Sequence, residues 1–487
     1  MKRKAIAAMI ILFLAGTAQA GPNGACDGEG WHDLFDGKTL AGWKAGENPE
    51  TFSVRDGAIV ANGKRSHLFY VGTICDHDFQ DFELTAEVMT RPGANSGIYF
   101  HTAYQAAGRP KKGYEVQINT AHLGHGNTRE LKRTGSLYAV RNVFAPFVKD
   151  NAWFTMHIRV TGRRVRTAVN GVPLVDFAKP GNRGRFGRTL SSGTFALQGH
   201  DPKSTVLFRR IRVRPLPKAP WPAETRSDEE VALHKRITTF HAAHLPLIDF
   251  HVHLKGGLTM AQALAHSRKT GIGYGVAANC GQDFAIKDDK ALLAYHKTLE
   301  GHPVFKGMQA EGREWVTMFS KEAIARFDYV FTDAMTFTDH RGKRIHLWRR
   351  NEVQIDDEQK FMDRYVAVTV GILNNEPIDI LANATILPAA LRAKYDALWT
   401  PERMDRVIEA ARKNNVAIEI NATSRVPSVA FVKRAKKAGC TFSFGTNNQN
   451  PKLGHLAYCL TVAEQCRLKK GNMFIPPLKT GKPTARK

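Results

Sequence analysis

Asn95-Ser96-Gly97-Ile98, Gly113-Tyr114-Glu115-Val116-Gln117-Ile118, Gly135-Ser136-Leu137-Tyr138, Asn170-Gly171, Leu197-Gln198-Gly199-His200 and Phe208-Arg209-Arg210-Ile211 decide the reading of the first half of this chain. They read as short strands of one β-sandwich whose polar residues line a groove. The neighbouring text agrees. Phe82, Leu84, Ala86 and Val88 alternate with Glu83, Thr85 and Glu87, and Phe154, Met156, Ile158 and Val160 alternate with Thr155, His157 and Arg159. A period of two is the mark of a strand with one buried face. Asn170-Gly171, between two apolar runs, predicts a tight hairpin, because both turn positions must tolerate positive φ. Many short strands without a long helix imply an antiparallel, all-β sandwich.

Moving toward the N-terminus, Lys2, Arg3 and Lys4 precede an apolar run from Ala5 to Ala15, and Ala18-Gln19-Ala20 has the small residues of a cleavage site. This pattern predicts a secretory signal peptide over 1–20 and export to the periplasm or beyond. The run is too short for a membrane span. The formal net charge is +25. Its basic residues are spread through both halves, and export makes nucleic acid an unsuitable partner. Six cysteines are present, Cys26, Cys75, Cys280, Cys440, Cys459 and Cys466. An oxidising compartment allows a Cys26–Cys75 pair and two pairs in the second half, although spacing does not set the connectivity.

Moving toward the C-terminus, the strand-rich text, read as a domain over 29–216, stops at Leu216-Pro217-Lys218-Ala219-Pro220-Trp221-Pro222. This stiff linker and a short helix over Asp228 to His241 occupy 217–244. Pro246-Leu247-Ile248-Asp249-Phe250-His251-Val252-His253-Leu254 opens the next unit, 245–476. Further strands are predicted near Tyr274–Ala278, Val304–Ala310, Tyr329–Thr332, Ile378–Leu381, Ala417–Ile420 and Thr441–Gly445, with helices over Pro401–Asn414 and Val429–Ala438. Strands alternating with helices imply a parallel α/β barrel of TIM-like type. The tail 477–487 has no apolar periodicity and is expected to be disordered.

Trp31 to Trp43, reading Trp-His-Asp-Leu-Phe-Asp-Gly-Lys-Thr-Leu-Ala-Gly-Trp, together with the strand pattern resembles the 3-keto-disaccharide hydrolase family of concanavalin-like jelly rolls. The resemblance implies a hydrolase, of glycosidase type, acting on glycosides already oxidised at the sugar C3 position. The chain departs from it at His101, where the family carries arginine. A C3 ketone makes the C2 proton acidic, so a positioned base removes it, the C1 substituent leaves and water then adds. Such a site needs a base and a group that stabilises the enolate oxygen. Glu115, Gln117 and Asn119 share one strand face. Glu115 is the candidate base, or a metal ligand, and His200 the second candidate catalytic group. His101, Gln117, Asn119, Tyr138 and Gln198 are the candidate sugar contacts, Tyr138 and Trp153 being read either as core or as stacking aromatics.

The second unit resembles the polymerase-and-histidinol-phosphatase type of metal-dependent hydrolase barrel. His251 and His253 match its first ligands and Glu311 its later carboxylate. The departures are Asn383, Asn447, Gln449 and Met335, amides and a thioether that bind hard or borderline cations poorly. Two readings follow: a partial site of His251, His253, Glu311 and Asp333 holding one divalent metal ion of unstated identity, or a barrel with only remnants of such a centre. His340, His346 and His455 read as structural or solvated, and Lys255, Arg313 and Arg425 as pairing residues before anion ligands. The chain is thus expected to be an exported two-domain enzyme of carbohydrate metabolism that cleaves 3-keto-glycosides. In the alternative, the jelly roll is a carbohydrate-binding module delivering substrate to an active barrel.

Overall fold

The computed structural model describes residues 30–120, 130–179, 190–220, 225–339 and 341–477. The leader, Cys26, His340 and the tail beyond 477 lie outside the described residues. Residues 30–216 form two antiparallel sheets packed face to face. One runs in the order Val172–Ala178, Arg164–Val169, Phe154–Thr161, Phe82–Thr90, Val206–Pro215, Ala58–Ala61 and Phe52–Arg55, with His32–Asp33 also paired to Val206–Pro215. The other has five strands, Trp43–Ala45, Ser66–Tyr70, Thr194–Gly199, Asn95–Thr102 and Tyr114–Asn119. The alternating residues do what their period dictates. Phe82, Leu84, Val88, Met156 and Ile158 meet Ile98, Phe100, Val116, Ile118 and Leu197 in one core. On the outer face of the larger sheet, Glu83 accepts from Arg159 and Arg214, and Glu87 from Arg209 and Arg210. The basic run from Arg209 to Arg214 is therefore largely a ladder of cross-strand ion pairs. At the hairpin, Asn170 and Gly171 take φ of 50° and 76°, as the turn requires.

The C-terminal unit is a closed barrel of seven parallel strands: Ile248–Val252, Gly273–Cys280, Phe305–Ala310, Tyr329–Thr332, Ile380–Leu381, Ala417–Asn421 and Phe442–Gly445. Each predicted strand is present, and they close the barrel one short of the eight of a TIM barrel. Tyr329 explains part of the interior. Its ring is fully buried and its hydroxyl donates to the Phe250 carbonyl at 2.6 Å. A Cβ at Gly275 or Gly307 would sit 2.3 or 2.4 Å from that hydroxyl, so two glycines on adjacent strands leave room for one large ring.

The two units share a core. Leu131, Phe144 and Ala145, from the stretch that follows the sandwich edge strand, pack into the barrel's hydrophobic cluster. Phe144 lies against Gly273, the first residue of its strand, and stacks on His241 at 5.8 Å between ring centroids. The sandwich therefore closes the N-terminal end of the barrel. Helix Asp228–Ala242 lies at the same junction and begins with a capping box between Ser227 and Glu230.

The cysteine expectation needs correction. Cys75 is disulfide-bonded, whereas Cys280, Cys440, Cys459 and Cys466 are free and buried. Each of the four thiols points at a backbone carbonyl of its own neighbourhood, Cys459 at Ile420 and Cys440 at Ile408 among them, so neither second-half pair forms.

The barrel geometry makes an opposed pair of alanine substitutions informative. Gly307→Ala drives a methyl into the Tyr329 ring and should lower stability by about 1–3 kcal/mol in urea titration. Gly371→Ala, within helix Glu358–Asn375 and with nothing near its Cβ, should raise stability by roughly 0.5–1 kcal/mol.

Candidate functional site

The five-stranded sheet has an apolar inner face and a polar outer one, and the outer one is buried as well. Register places Tyr99 opposite Glu115, Gly97 opposite Gln117, and Gln198 opposite His67. Glu115, Gln117, Asn119 and Gln198 are all 5% exposed or less. Side chains removed from water in this way must find partners among themselves. Tyr99 donates its hydroxyl proton to Glu115 Oε2 at 2.7 Å, and Gln198 Nε2 donates to the Tyr99 oxygen at 3.2 Å. Gly97 supplies the space, since a Cβ there would stand 2.6 Å from Glu115 Oε1. Gln117 donates to Asn95 Oδ1 at 2.9 Å and leaves its own Oε1 without a partner. The free edge of the Glu115 strand is covered by 134–138, whose backbone bonds to Glu115, Gln117 and Asn119.

The sequence reading missed His67. It shares the face with Glu115, its ring meets Tyr99 edge-on at 5.3 Å, and both of its nitrogens are buried without a hydrogen-bond partner. The signal was present in Ser66-His67-Leu68-Phe69-Tyr70, whose alternation puts His67 on the side opposite Leu68 and Tyr70. Burial holds its pKa down at about 4, so the ring is neutral at ordinary pH. His200 stands at the end of the neighbouring strand with Nδ1–H donating to Asp201 at 2.6 Å.

The other expected sugar contacts are placed elsewhere. His101 breaks the alternation: at φ 54°, where the pairing of Thr194–Gly199 with its neighbour shifts register, the side chain turns against Phe82 and Phe100. Its Nε2–H donates to the Gln80 carbonyl at 2.7 Å, so it is separated from Glu115 by its orientation. Asn119 clamps the loop beside it, donating to the carbonyls of Glu130 and Lys132. Tyr138 faces the barrel junction, with Lys132 over its ring at 4.4 Å and His244 beside it. Trp153 is half-buried under the Arg209 guanidinium at 3.9 Å, on the larger sheet, and is not a core residue.

The barrel gathers a second polar cluster at the C-terminal ends of its strands. His251 donates from Nδ1 to Glu419 at 2.6 Å and from Nε2 to the Gln309 amide oxygen at 3.1 Å. Burial alone would lower its pKa, yet the Glu419 carboxylate raises it. Gln309 in turn donates to Glu311 at 2.9 Å, as does Asn279 at 2.7 Å. Burial first and the Asp333 charge second push Glu311 up to about 8. Asp333 accepts from Asn383 at 2.9 Å. His253 donates from Nδ1 to the Ala277 carbonyl at 2.9 Å, and its buried Nε2 has no partner. The four expected metal ligands are thus in one neighbourhood, but their lone pairs are largely committed. Both ring nitrogens of His251 are engaged, with Glu419 and Gln309, and Asn383 takes an oxygen of Asp333. Among the described residues no group of three or more His, Cys, Asp or Glu side chains is disposed to hold a metal ion. As arranged, the donor set does not fit the divalent ion that the barrel resemblance implies.

Residues 30–214 match the model of the 3-keto-alpha-glucoside-1,2-lyase-like domain. A 3-keto-disaccharide hydrolase of Bacteroides thetaiotaomicron is 35% identical over 150 residues, covering 26% of this chain and 49% of that protein. The chain therefore spans about half the length of that relative. Among solved structures, a protein of Parabacteroides distasonis ascribed to a glycosyl hydrolase is similar at 21% identity, covering 39% of this chain and 94% of that one, with a TM-score of 0.34. The histidinol phosphate phosphatase of Lactococcus lactis is similar at 12% identity, covering 46% and 94%, with a TM-score of 0.34.

The buried imidazoles set a pH dependence of stability. For His67 the folded pKa of about 4 lies below the unfolded 6.5, so unfolding takes up a proton between them. The stability this group contributes is present above pH 6.5 and is lost as pH falls toward about 4. His67→Gln should therefore flatten part of the fall in unfolding free energy measured by urea titration at pH 7 and pH 5.

Proposed function

We propose that the sandwich cleaves 3-keto-glycosides by removing the C2 proton, expelling the C1 substituent and adding water across the resulting double bond. The observation that carries this reading is Glu115, the only carboxylate among the residues of the five strands, buried on the polar face with Tyr99 and Gln198 behind it. The match of 30–214 to a 3-keto-glucoside lyase-like family supports the substrate class. In this reading Glu115 takes the C2 proton. The electron pair moves onto the C3 oxygen, where neutral donors stabilise it without first neutralising the base. His67, Gln117 and His200 are the residues to bind the sugar and its enolate. Exclusion of water strengthens each of these contacts. With Glu115 at 4% exposure, a sugar reaches it only if the groups around it move.

The leader pattern carries a further part of the proposal, that the mature protein begins near Gly21 and works outside the cytoplasm, with carbohydrate as its partner. The disulfide at Cys75 is in keeping with an oxidising compartment. Among the described residues no helix is long and apolar enough to cross a membrane.

The test is release of 3-keto-glucose from a 3-keto-glucoside by the full chain. Glu115→Gln should reduce kcat by at least about 100-fold, with the circular dichroism spectrum unchanged. His253→Ala should leave the rate as it is. The reverse pattern would move catalysis to the barrel and make the sandwich its sugar-binding module.

A further inference from the structure

A cavity of about 700 Å³ opens where the sandwich meets helix Asp228–Ala242 and helix Met260–Thr270. Six arginines and lysines line it against two carboxylates. The two carboxylates are already engaged with partners of their own. Asp176 is gripped by Arg164 through two contacts of 2.5 Å, and Glu230 is the capping-box partner of the Ser227 backbone.

Arg141 lines the cavity and is 1% exposed. It donates to the Val140 carbonyl and Thr238 Oγ1, stacks over the Phe177 ring at 5.1 Å, and keeps Nε without an acceptor. Its Nη2 and Arg226 Nη1 both approach His234 Nδ1, at 2.8 and 3.1 Å, so two cationic donors share one lone pair. Arg141, Lys179 and Lys269 have no carboxylate partner among the described residues. Desolvation, with Arg226 adding to it, pulls Arg141 down to about 9, the direction expected of a buried cation lacking a counter-charge. Natural folds rarely leave a guanidinium in that condition without a use for it.

We propose that this junction binds a small organic anion carrying a tetrahedral oxyanion, a phosphate or sulfate ester, with the oxyanion on Arg141. Cations reach the cavity from the strands, the linker and the helices, and such a convergence suits an oxyanion with three acceptor oxygens better than a flat carboxylate. The cavity volume lies in the range of ordinary small-molecule sites and far exceeds one inorganic ion, and Leu233 and Ile237 give it an apolar wall. The cavity is distinct from the polar face, since its lining includes none of the residues of that face. A bound ligand would tie the sandwich to the barrel helices.

Calorimetric titration and thermal melting of the full chain test this, with glucose 6-phosphate, glucose 6-sulfate and glucose as probes at matched ionic strength. A saturable heat and a raised melting temperature are expected for at least one ester and not for glucose, and which ester binds identifies the source of the oxyanion. Lys179→Glu and Lys269→Glu, both at the rim, should each weaken binding about tenfold without lowering the melting temperature of the unliganded protein. Arg141→Met should abolish it. No saturable binding of either ester, or affinity untouched by the two rim variants, would overturn the proposal.

Discussion

A polar group withdrawn from water must find a partner within the protein, and that constraint shapes this molecule more than any single contact. The five-stranded sheet is buried on both faces, so its outer side cannot be the solvated half of an ordinary amphipathic sheet. Glu115, Tyr99, Gln198, Gln117 and Asn95 answer with a chain of hydrogen bonds among themselves. The places where the accounting fails are therefore informative. His67, Gln117 Oε1, His253 Nε2 and Arg141 Nε are buried polar atoms with nothing to bond. These fall at the polar sheet face, the mouth of the barrel and the junction between the units. Others, such as Arg159 Nε, Arg214 Nε, Tyr295 OH and Ser443 Oγ, lie away from these places, so an unpartnered atom acquires meaning only from its surroundings.

The junction follows from where the chain goes after the sandwich edge strand. The stretch 130–145 covers that edge with backbone bonds and then gives Leu131, Phe144 and Ala145 to the barrel core. One segment thereby shields an open sheet edge and stops the barrel's N-terminal end. Because the barrel's polar cluster lies at the C-terminal ends of its strands, the sandwich face and the barrel mouth do not share a wall. Each half carries its own polar chemistry, and the cationic cavity beside helix Asp228–Ala242 lies where the two halves meet.

Much of this was readable in the sequence because it rests on period. Strict alternation gave the sandwich strands, Asn170-Gly171 its hairpin, and apolar runs between helical patterns gave all seven barrel strands. What period cannot carry is a local break in it. His101 should share a face with Tyr99, and the register shift beside it turns its side chain the other way. For Tyr138 and Asn119 the pattern locates the neighbourhood but not the partners, which are His244 beside Tyr138 and the Glu130 carbonyl on Asn119. His67 was legible and overlooked, since its strand alternates as plainly as that of Glu115. The four barrel cysteines show the opposite limit, for compartment chemistry suggests pairing, yet each thiol is separated by packing into its own pocket of core.

The barrel mouth shows how amides can take the place of ligand-binding groups in a buried site. Two carboxyls, Glu311 and Asp333, are pushed upward by burial, and mutual repulsion adds to the cost for Glu311. A cation is the usual remedy for such a pair. Here the remedies are Asn279 and Gln309 donating to Glu311, Asn383 donating to Asp333, and His251 paired with Glu419. Gln309 has a double part, accepting from His251 and donating to Glu311, so it joins the positive and negative ends of the network through one amide. His253 keeps a buried Nε2 without a hydrogen-bond partner beside this network, and the network itself does not explain its role.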